Sequence, residues 1–217
     1  MSGPLLISDC DEVLLHMVTH FAEWIEEAHG LRFTLEEQGF ANAIRDKVSN
    51  EPVPADRVWP LLSLFFDTEM HRQNIVPGAA EALAAIGEQA DIVILTNLGD
   101  EYQASRALQL EAVGINHRVL CNRGGKGRPV TELIEELRPT VTVFVDDLAV
   151  HHESVAKHAP QVWRLHMIAE PFVAAHMPAS PHAHARIDDW KEASRWIRAR
   201  FAEGPAPIVD AGAASTA

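Results

Sequence analysis

The sequence predicts an α/β fold, with helices on both faces of a parallel sheet to make three layers, and one helical module inserted near the start. Three observations predict it. Apolar runs rich in Val, Ile and Leu recur along the chain, helix-length segments alternate with them, and one connection is far too long for a simple strand–helix step. Runs that are continuously apolar, rather than alternating, suit strands buried on both faces.

Four runs read as strands: PLLIS (4–8), DIVILTN (91–97), HRVLC (117–121) and VTVFVDD (141–147). VWRLHM (162–167) is a weaker fifth. Between them, PGAAEALAAIGEQ (77–89) opens on Pro and Gly and continues in good helix formers. DEYQASRALQLEAVG (100–114) starts acidic and ends on Gly, while VTELIEELRP (130–139) and AVHHESVAKHAP (149–160) both stop at Pro. The long connection runs from Asp11 to Pro77 and holds no convincing strand. Within it, 13–29 sets Val13, Leu14, Met17, Val18, Phe21, Trp24, Ile25 and Ala28 on one helical stripe ending at Gly30. TLEEQGFANAIRDK (34–47) opens with a capping-box pattern, Thr34 to Glu37. A third helix is predicted over 54–73, broken or kinked at Pro60. The expected organisation is a core of residues 1–13 and 76–202, an inserted helical module over 14–75, and a disordered tail over 203–217.

The chain has 217 residues, 47% of them apolar and 23% charged, which fits one soluble domain with a substantial insertion. Cys10 and Cys121 make neither a disulfide framework nor a zinc site, consistent with a reducing cytoplasm. No apolar run approaches the length of a membrane span, and MSGPLLISDCD carries no signal-peptide pattern, so a cytoplasmic protein is expected. The net charge of −13 argues against nucleic acid or an anionic membrane as the main partner. A small anionic substrate remains compatible if the site is locally positive.

In an open parallel sheet, ligands bind beyond the carboxyl ends of the strands. The first strand is followed by Asp9 and Asp11, the second by Thr96 and Asn97, and the fourth by Asp146 and Asp147. The loop after the third, NRGGKGR, carries Lys126 among glycines. Converging carboxylates require a cation. All-oxygen ligation with room for water and phosphate favours Mg²⁺. A magnesium ion, a lysine and a hydroxyl are what a transferring phosphoryl group needs, and a carboxylate can itself attack to form an aspartyl-phosphate. If strand geometry continues past Ser8, Asp9 and Asp11 point the same way, one as nucleophile and the other as general acid and base. Cys10, between them, points into the fold.

These motifs resemble those of the haloacid dehalogenase-like (HAD) superfamily. DCDEV fits its D-x-D-x-[T/V], Thr96 in VILTN fits the second motif, and Lys126 and the acidic pair of VFVDD follow in order. The resemblance spans residues 5 to about 167. It implies a Rossmann-like core, with 14–75 as a helical cap that closes over the site and selects substrates. It implies Asp9 as nucleophile and Asp11 as the acid that protonates the leaving group and then activates water. Thr96 and Lys126 would clamp the phosphoryl group. Asp146 and Asp147 would bind Mg²⁺ together with Asp9 and the backbone carbonyl of Asp11. Superfamily members that cleave carbon–halogen or carbon–phosphorus bonds generally lack an aspartate at the position of Asp11, so the resemblance implies a phosphatase acting on a small phosphorylated metabolite. The chain departs from the pattern at Glu12, where Gly or Thr is frequent, and at Val13. It departs again at Gly127, where Pro often follows the lysine, and at His151, where a further Asp is usual.

The alternatives are a phosphomutase or phosphotransferase of the same fold and a catalytically inactive binding protein. A signalling receiver fits poorly, because there the acidic pair comes on the first strand. Arg123 and Arg128 are expected at the surface. His16 and His20 stand at i, i+4 on a predicted helix without an evident third metal ligand. His151 and His152 follow the acidic pair and could support it from behind. His182 and His184 are expected to be exposed. Caps and exposed helices can dimerise, so a homodimer stays open.

Overall fold

The computed structural model describes residues 3–35 and 40–209. In chain order its elements are β1 (Leu5–Ser8), α1 (Val18–His29), β2 (Leu31–Phe33), β3 (Ile44–Asp46), α2 (Ala55–Thr68), α3 (Ala79–Gly87), β4 (Asp91–Thr96) and α4 (Gln103–Ala112). There follow β5 (Arg118–Cys121), α5 (Gly127–Leu137), β6 (Thr142–Asp146), α6 (Ala149–His158), β7 (Trp163–His166), α7 (Pro171–Ala174), β8 (Ala185–Arg186) and α8 (Trp190–Glu203). Short 3-10 turns occupy Phe40–Asn42, Met70–Arg72 and Asp100–Tyr102. The chain divides into two compact units, Met1–Leu14 with Ile75–Ala217, and Leu15–Asn74.

The larger unit is a six-stranded sheet in the order β5-β4-β1-β6-β7-β8, and all its pairings are parallel. The chain leaves β1 for β4 and β5 on one side, then returns to β6 and β7 on the other. The order therefore reverses at β1, which is where an open α/β sheet forms its crevice. Ser8, the last residue of β1, pairs with Ile94 on one side and Val145 on the other, so the ends of β1, β4 and β6 lie together. Continuous apolar runs were expected to be buried on both faces, and they are. Leu5, Ile7, Val93, Leu95 and Phe144 pack one face against Val130 and Leu133 of α5, Val155 of α6 and Ala159 just past its end. The other face carries α8 against β6 and α3, with Trp190 fully buried. This is the three-layer Rossmann-like architecture that the sequence predicts.

The structure differs from the sequence expectation in several places. A sixth strand, β8, is only two residues long, too short for a pattern to register. Helix α5 starts at Gly127, directly after Lys126, rather than at Val130. The predicted helix over 13–29 begins only at Val18, because Glu12 turns the backbone left-handed (φ 59°) and Val13, Leu14 and Leu15 are buried as irregular chain. The start of the expected disordered tail is held in place. Helix α8 runs to Glu203, the Gly204 carbonyl accepts the Trp163 Nε1–H (2.8 Å), and the Ala206 N–H donates to the Gln161 carbonyl (2.9 Å). Residues 210–217 of that tail lie outside the described residues.

The smaller unit is not purely helical. α1 and α2 bring Phe21 and Phe65 into an edge-on contact (5.6 Å), and both rings are fully buried. Pro60 sits inside α2, which continues to Thr68. The helix predicted over 34–47 is absent among the described residues. Thr34 donates its N–H to the Ala43 carbonyl (2.6 Å), and β2 pairs with β3 as an antiparallel hairpin. Glu37, the other half of the expected capping box, lies outside the described residues.

Candidate active site

The site forms where β1, β4 and β6 end. The Asp9 N–H donates to the Val145 carbonyl (2.8 Å), so β1 keeps its ladder one residue past Ser8. The chain then turns. The Leu14 N–H bonds the Cys10 carbonyl (2.7 Å), the Ala169 N–H bonds the Glu12 carbonyl (2.7 Å), and the Trp190 Nε1–H bonds the Val13 carbonyl (2.7 Å). The loop carrying both aspartates is therefore tied down from two distant parts of the chain, by the Ala169 backbone N–H and by the Trp190 indole N–H on α8. Cys10 is fully buried, as expected from its place between them, and burial raises its thiol pKa, which marks it as inert.

Lys126 joins the strand ends. Its ammonium is fully buried and bridges Asp9 Oδ1 (2.8 Å) and Asp146 Oδ2 (2.7 Å). Asp9 Oδ1 also accepts the Cys10 N–H (2.7 Å), and Asp146 Oδ1 accepts the Leu148 N–H (2.9 Å). Carboxylate oxygens of Asp9, Asp146 and Asp147 lie within 4.8 Å of one another. Crowding shows in their acidities. Burial, with Asp146 and Asp11 nearby, pushes Asp9 up to about 7 even though Lys126 opposes it. Burial and the charges of Asp146 and Asp9 raise Asp147 well above the usual carboxylate range. Asp146 is lowered, because Lys126 and the neighbouring histidines outweigh its burial. One ammonium thus falls short of balancing three carboxylates. Lys126 itself loses to burial and gains more from Asp146 and Asp9, so its pKa is raised and it stays charged.

Asp11 does not join this cluster through its carboxylate. Both of its oxygens receive Arg106 Nη2, at 2.9 and 3.1 Å, and Oδ2 lies 3.4 Å from Thr96 Oγ1. Arg106 is fully buried on α4 and was not anticipated. Its signal was its position four residues before Leu110, on the inward stripe of α4, where an arginine is out of place without a partner. Asn97 is consumed by the loops. Its amide donates to the Gly124 carbonyl (2.9 Å) and to His151 Nε2 (3.2 Å), and its Oδ1 accepts from Asn122 (2.9 Å).

Histidines support the acidic pair from behind. His152 Nε2 donates to the Asp146 carbonyl (3.0 Å), and burial lowers its pKa to about 4. His166 Nδ1 accepts the Ser180 N–H (2.9 Å), so Nε2 carries the proton and donates to the Asp147 carbonyl (2.7 Å). His184, expected to be exposed, instead accepts the Arg164 N–H at Nδ1 (3.0 Å) and donates to Pro207 (2.9 Å). Arg123 is exposed, beside Glu101, as expected. The Gly127 departure has a steric reason. A Cβ there would lie 2.2 Å from the Ser154 carbonyl oxygen on α6, and the Gly127 N–H donates to Ser154 Oγ (3.0 Å).

No family profile matches the chain, and no curated protein does. Solved structures do. A haloacid dehalogenase-like family hydrolase from Xanthomonas campestris is 15% identical, with 93% of this chain and 97% of that one covered, at a TM-score of 0.60. YfnB from Bacillus subtilis, a structure bound to magnesium, is 11% identical over 91% and 99%, at 0.62. A 2-haloacid dehalogenase from Pseudomonas syringae pv. Tomato DC3000 is 12% identical over 90% and 98%, at 0.52. No helix of the described residues is long and apolar enough to cross a membrane. With its motif residues on the ends of a reversing parallel sheet, the chain has the fold of the haloacid dehalogenase-like hydrolases.

Proposed function

We propose that this protein is a Mg²⁺-dependent phosphatase that hydrolyses a small-molecule phosphate ester through an aspartyl-phosphate on Asp9. The observation that carries this is the buried Lys126 bridging Asp9 and Asp146, with Asp147 beside them. The donors fit the ion. Asp9, Asp146 and Asp147 offer only carboxylate oxygens, and their raised or opposed acidities mark a place short of positive charge. When bound, Mg²⁺ neutralises charge on the transferring phosphoryl group. The backbone carbonyl of Asp11 is the further ligand we assign.

The side chains divide the work. Asp9 Oδ1 is engaged by the Cys10 N–H and Lys126, which leaves Oδ2 to attack phosphorus. The phosphorus–oxygen bond to the leaving group breaks, and Asp11 gives that oxygen a proton. Asp11 then takes a proton from the water that attacks the phosphorylated Asp9. The bond from phosphorus to Asp9 breaks, inorganic phosphate leaves, and the carboxylate is restored. Lys126 and the Thr96 hydroxyl hold the phosphoryl oxygens, and Asn97 fixes the loops around them. Asp11 favours phosphate esters over the carbon–halogen bonds that the same fold also serves. We assign substrate choice to the 15–74 unit, and a cytoplasmic setting with a homodimer as the candidate assembly.

The test is phosphate release from a panel of sugar phosphates, nucleotides, phospho-amino acids and an aryl phosphate. Mg²⁺-dependent release that EDTA stops and Asp9→Asn abolishes is expected. Full activity of Asp9→Asn, or no release from any member, refutes the proposal. A phosphomutase would instead transfer the group and release little phosphate.

A further inference from the structure

We infer that Arg106 is a positioning residue for Asp11, fixing the carboxylate on which proton transfer depends. Building on the role proposed above for Asp11, this adds a residue that the D-x-D, Thr, Lys and acidic-pair pattern does not contain. The juxtaposition is specific. Arg106 starts from α4, the helix after the Thr96 loop, and reaches the end of β1. Its Nη2 engages both Asp11 oxygens (2.9 and 3.1 Å), and its Nη1 donates to Gln109 Oε1 (2.9 Å), one helical turn further on. The arginine is fully buried, whereas the Asp11 side chain keeps 17% of its exposure. The carboxylate is thus gripped on its protein side and open on the other.

A buried guanidinium is costly and is rarely the most stable filling for such a space. A methionine or leucine would pack there without desolvation. The charge is accounted for if it specifies a rotamer. The β1 ladder ends at Asp9 and the chain then turns, so strand geometry does not aim Asp11 beside Asp9. Thr96 Oγ1, at 3.4 Å, is too long a contact to do it alone. Arg106 supplies the missing constraint, holding the carboxylate beside Thr96 at the β4 end.

The test compares Arg106→Met and Arg106→Lys with wild type, and Asp11→Asn with Asp11→Asn/Arg106→Met, on an aryl phosphate with saturating Mg²⁺. A misplacement of about 1 Å costs roughly 100-fold, so Arg106→Met should lower kcat by about that factor and change KM by less than about 3-fold. Arg106→Lys should recover roughly 10-fold of the loss, since it restores the charge but not the fork. In the Asp11→Asn background, Arg106→Met should change kcat by less than about 2-fold, because a residue acting through Asp11 has nothing left to position. This double variant strands no buried charge, so it keeps the test alive if Arg106→Met alone fails to fold. Active wild type with unchanged kcat in Arg106→Met overturns the inference. So does a further loss of roughly 10-fold in the Asp11→Asn background. Inactive wild type overturns the phosphatase proposal, and this inference with it.

Discussion

Replacing Gly127 by alanine should damage the site from a distance. Gly127 is the first residue of α5, and its neighbour Lys126 bridges Asp9 and Asp146. An added Cβ would sit 2.2 Å from the Ser154 carbonyl oxygen, 2.8 Å from the Ser154 carbonyl carbon and 2.6 Å from His158 Nδ1. Two of the three atoms are backbone, so no side-chain rotation relieves the contact. Ordinary contact begins at 3.4 Å, so α5 and α6 must part by roughly 1 Å. Overpacking of this kind costs about 1–3 kcal/mol, against which the better helix propensity of alanine returns up to about 1. A net loss of about 1–2 kcal/mol lowers the melting temperature by roughly 2–8 °C in a domain of this size. The larger effect falls on activity, because a shift of about 1 Å at Lys126 costs on the order of 100-fold in kcat. Gly87→Ala is the control. Its Cβ meets only His117 and Ile92, each at 3.8 Å, so the variant should be as stable as wild type or more so, with unchanged kcat. Thermal unfolding and steady-state kinetics of both variants decide the matter. A Gly127→Ala protein with wild-type melting temperature and kcat would refute this account of α5 packing.

Two other outcomes follow from the same geometry. Trp190→Phe removes the N–H that holds the Val13 carbonyl and part of a fully buried ring, for a loss of about 2–4 kcal/mol and a melting temperature lower by roughly 4–16 °C; an unchanged value would mean that α8 does not brace the Asp9–Asp11 loop. With its pKa raised to about 7 in the fold, Asp9 of the metal-free protein binds more protons folded than unfolded, so its contribution to stability is full below about pH 4 and lost as pH rises through about 7. Relative to Asp9→Asn, the metal-free protein should therefore lose stability from pH 5 to 8. Mg²⁺, which needs the carboxylate ionised, should raise the melting temperature more at pH 8 than at pH 5. An equal Mg²⁺ shift at both pH values would contradict this.

Much of this was legible in the sequence, for physical reasons. A strand buried on both faces must be continuously apolar, and β1, β4 and β6 are. Their polar residues therefore stand out at the ends, which is how Asp9, Thr96, Asp146 and Asp147 could be read. The 34–47 segment misled because a threonine before a glutamate three residues on signals a helix start, whereas the Thr34 backbone pairs with Ala43 beside the hairpin instead. Tertiary pairing overrode a local signal. Arg106 was hidden for a different reason. Periodicity counts charged residues as solvent-facing, and only a partner far off in the chain, Asp11, makes an inward arginine sensible. Gly127 was noticed as a departure, but its cause is the Ser154 carbonyl on another helix, which no local pattern contains. Helix α8 went unread, although Asp189 caps its start by accepting the Glu192 N–H (2.9 Å).

The central claim is that Asp9 carries the phosphoryl group. Its most direct test is to mix enzyme, Mg²⁺ and a turned-over aryl phosphate, quench with borohydride during steady state, and locate the modified residue by peptide mass. Reduction of an aspartyl-phosphate converts that aspartate to homoserine. The account predicts homoserine at position 9, dependent on both Mg²⁺ and substrate. Steady turnover with Asp9 unmodified, or with the label on another carboxylate, would contradict it.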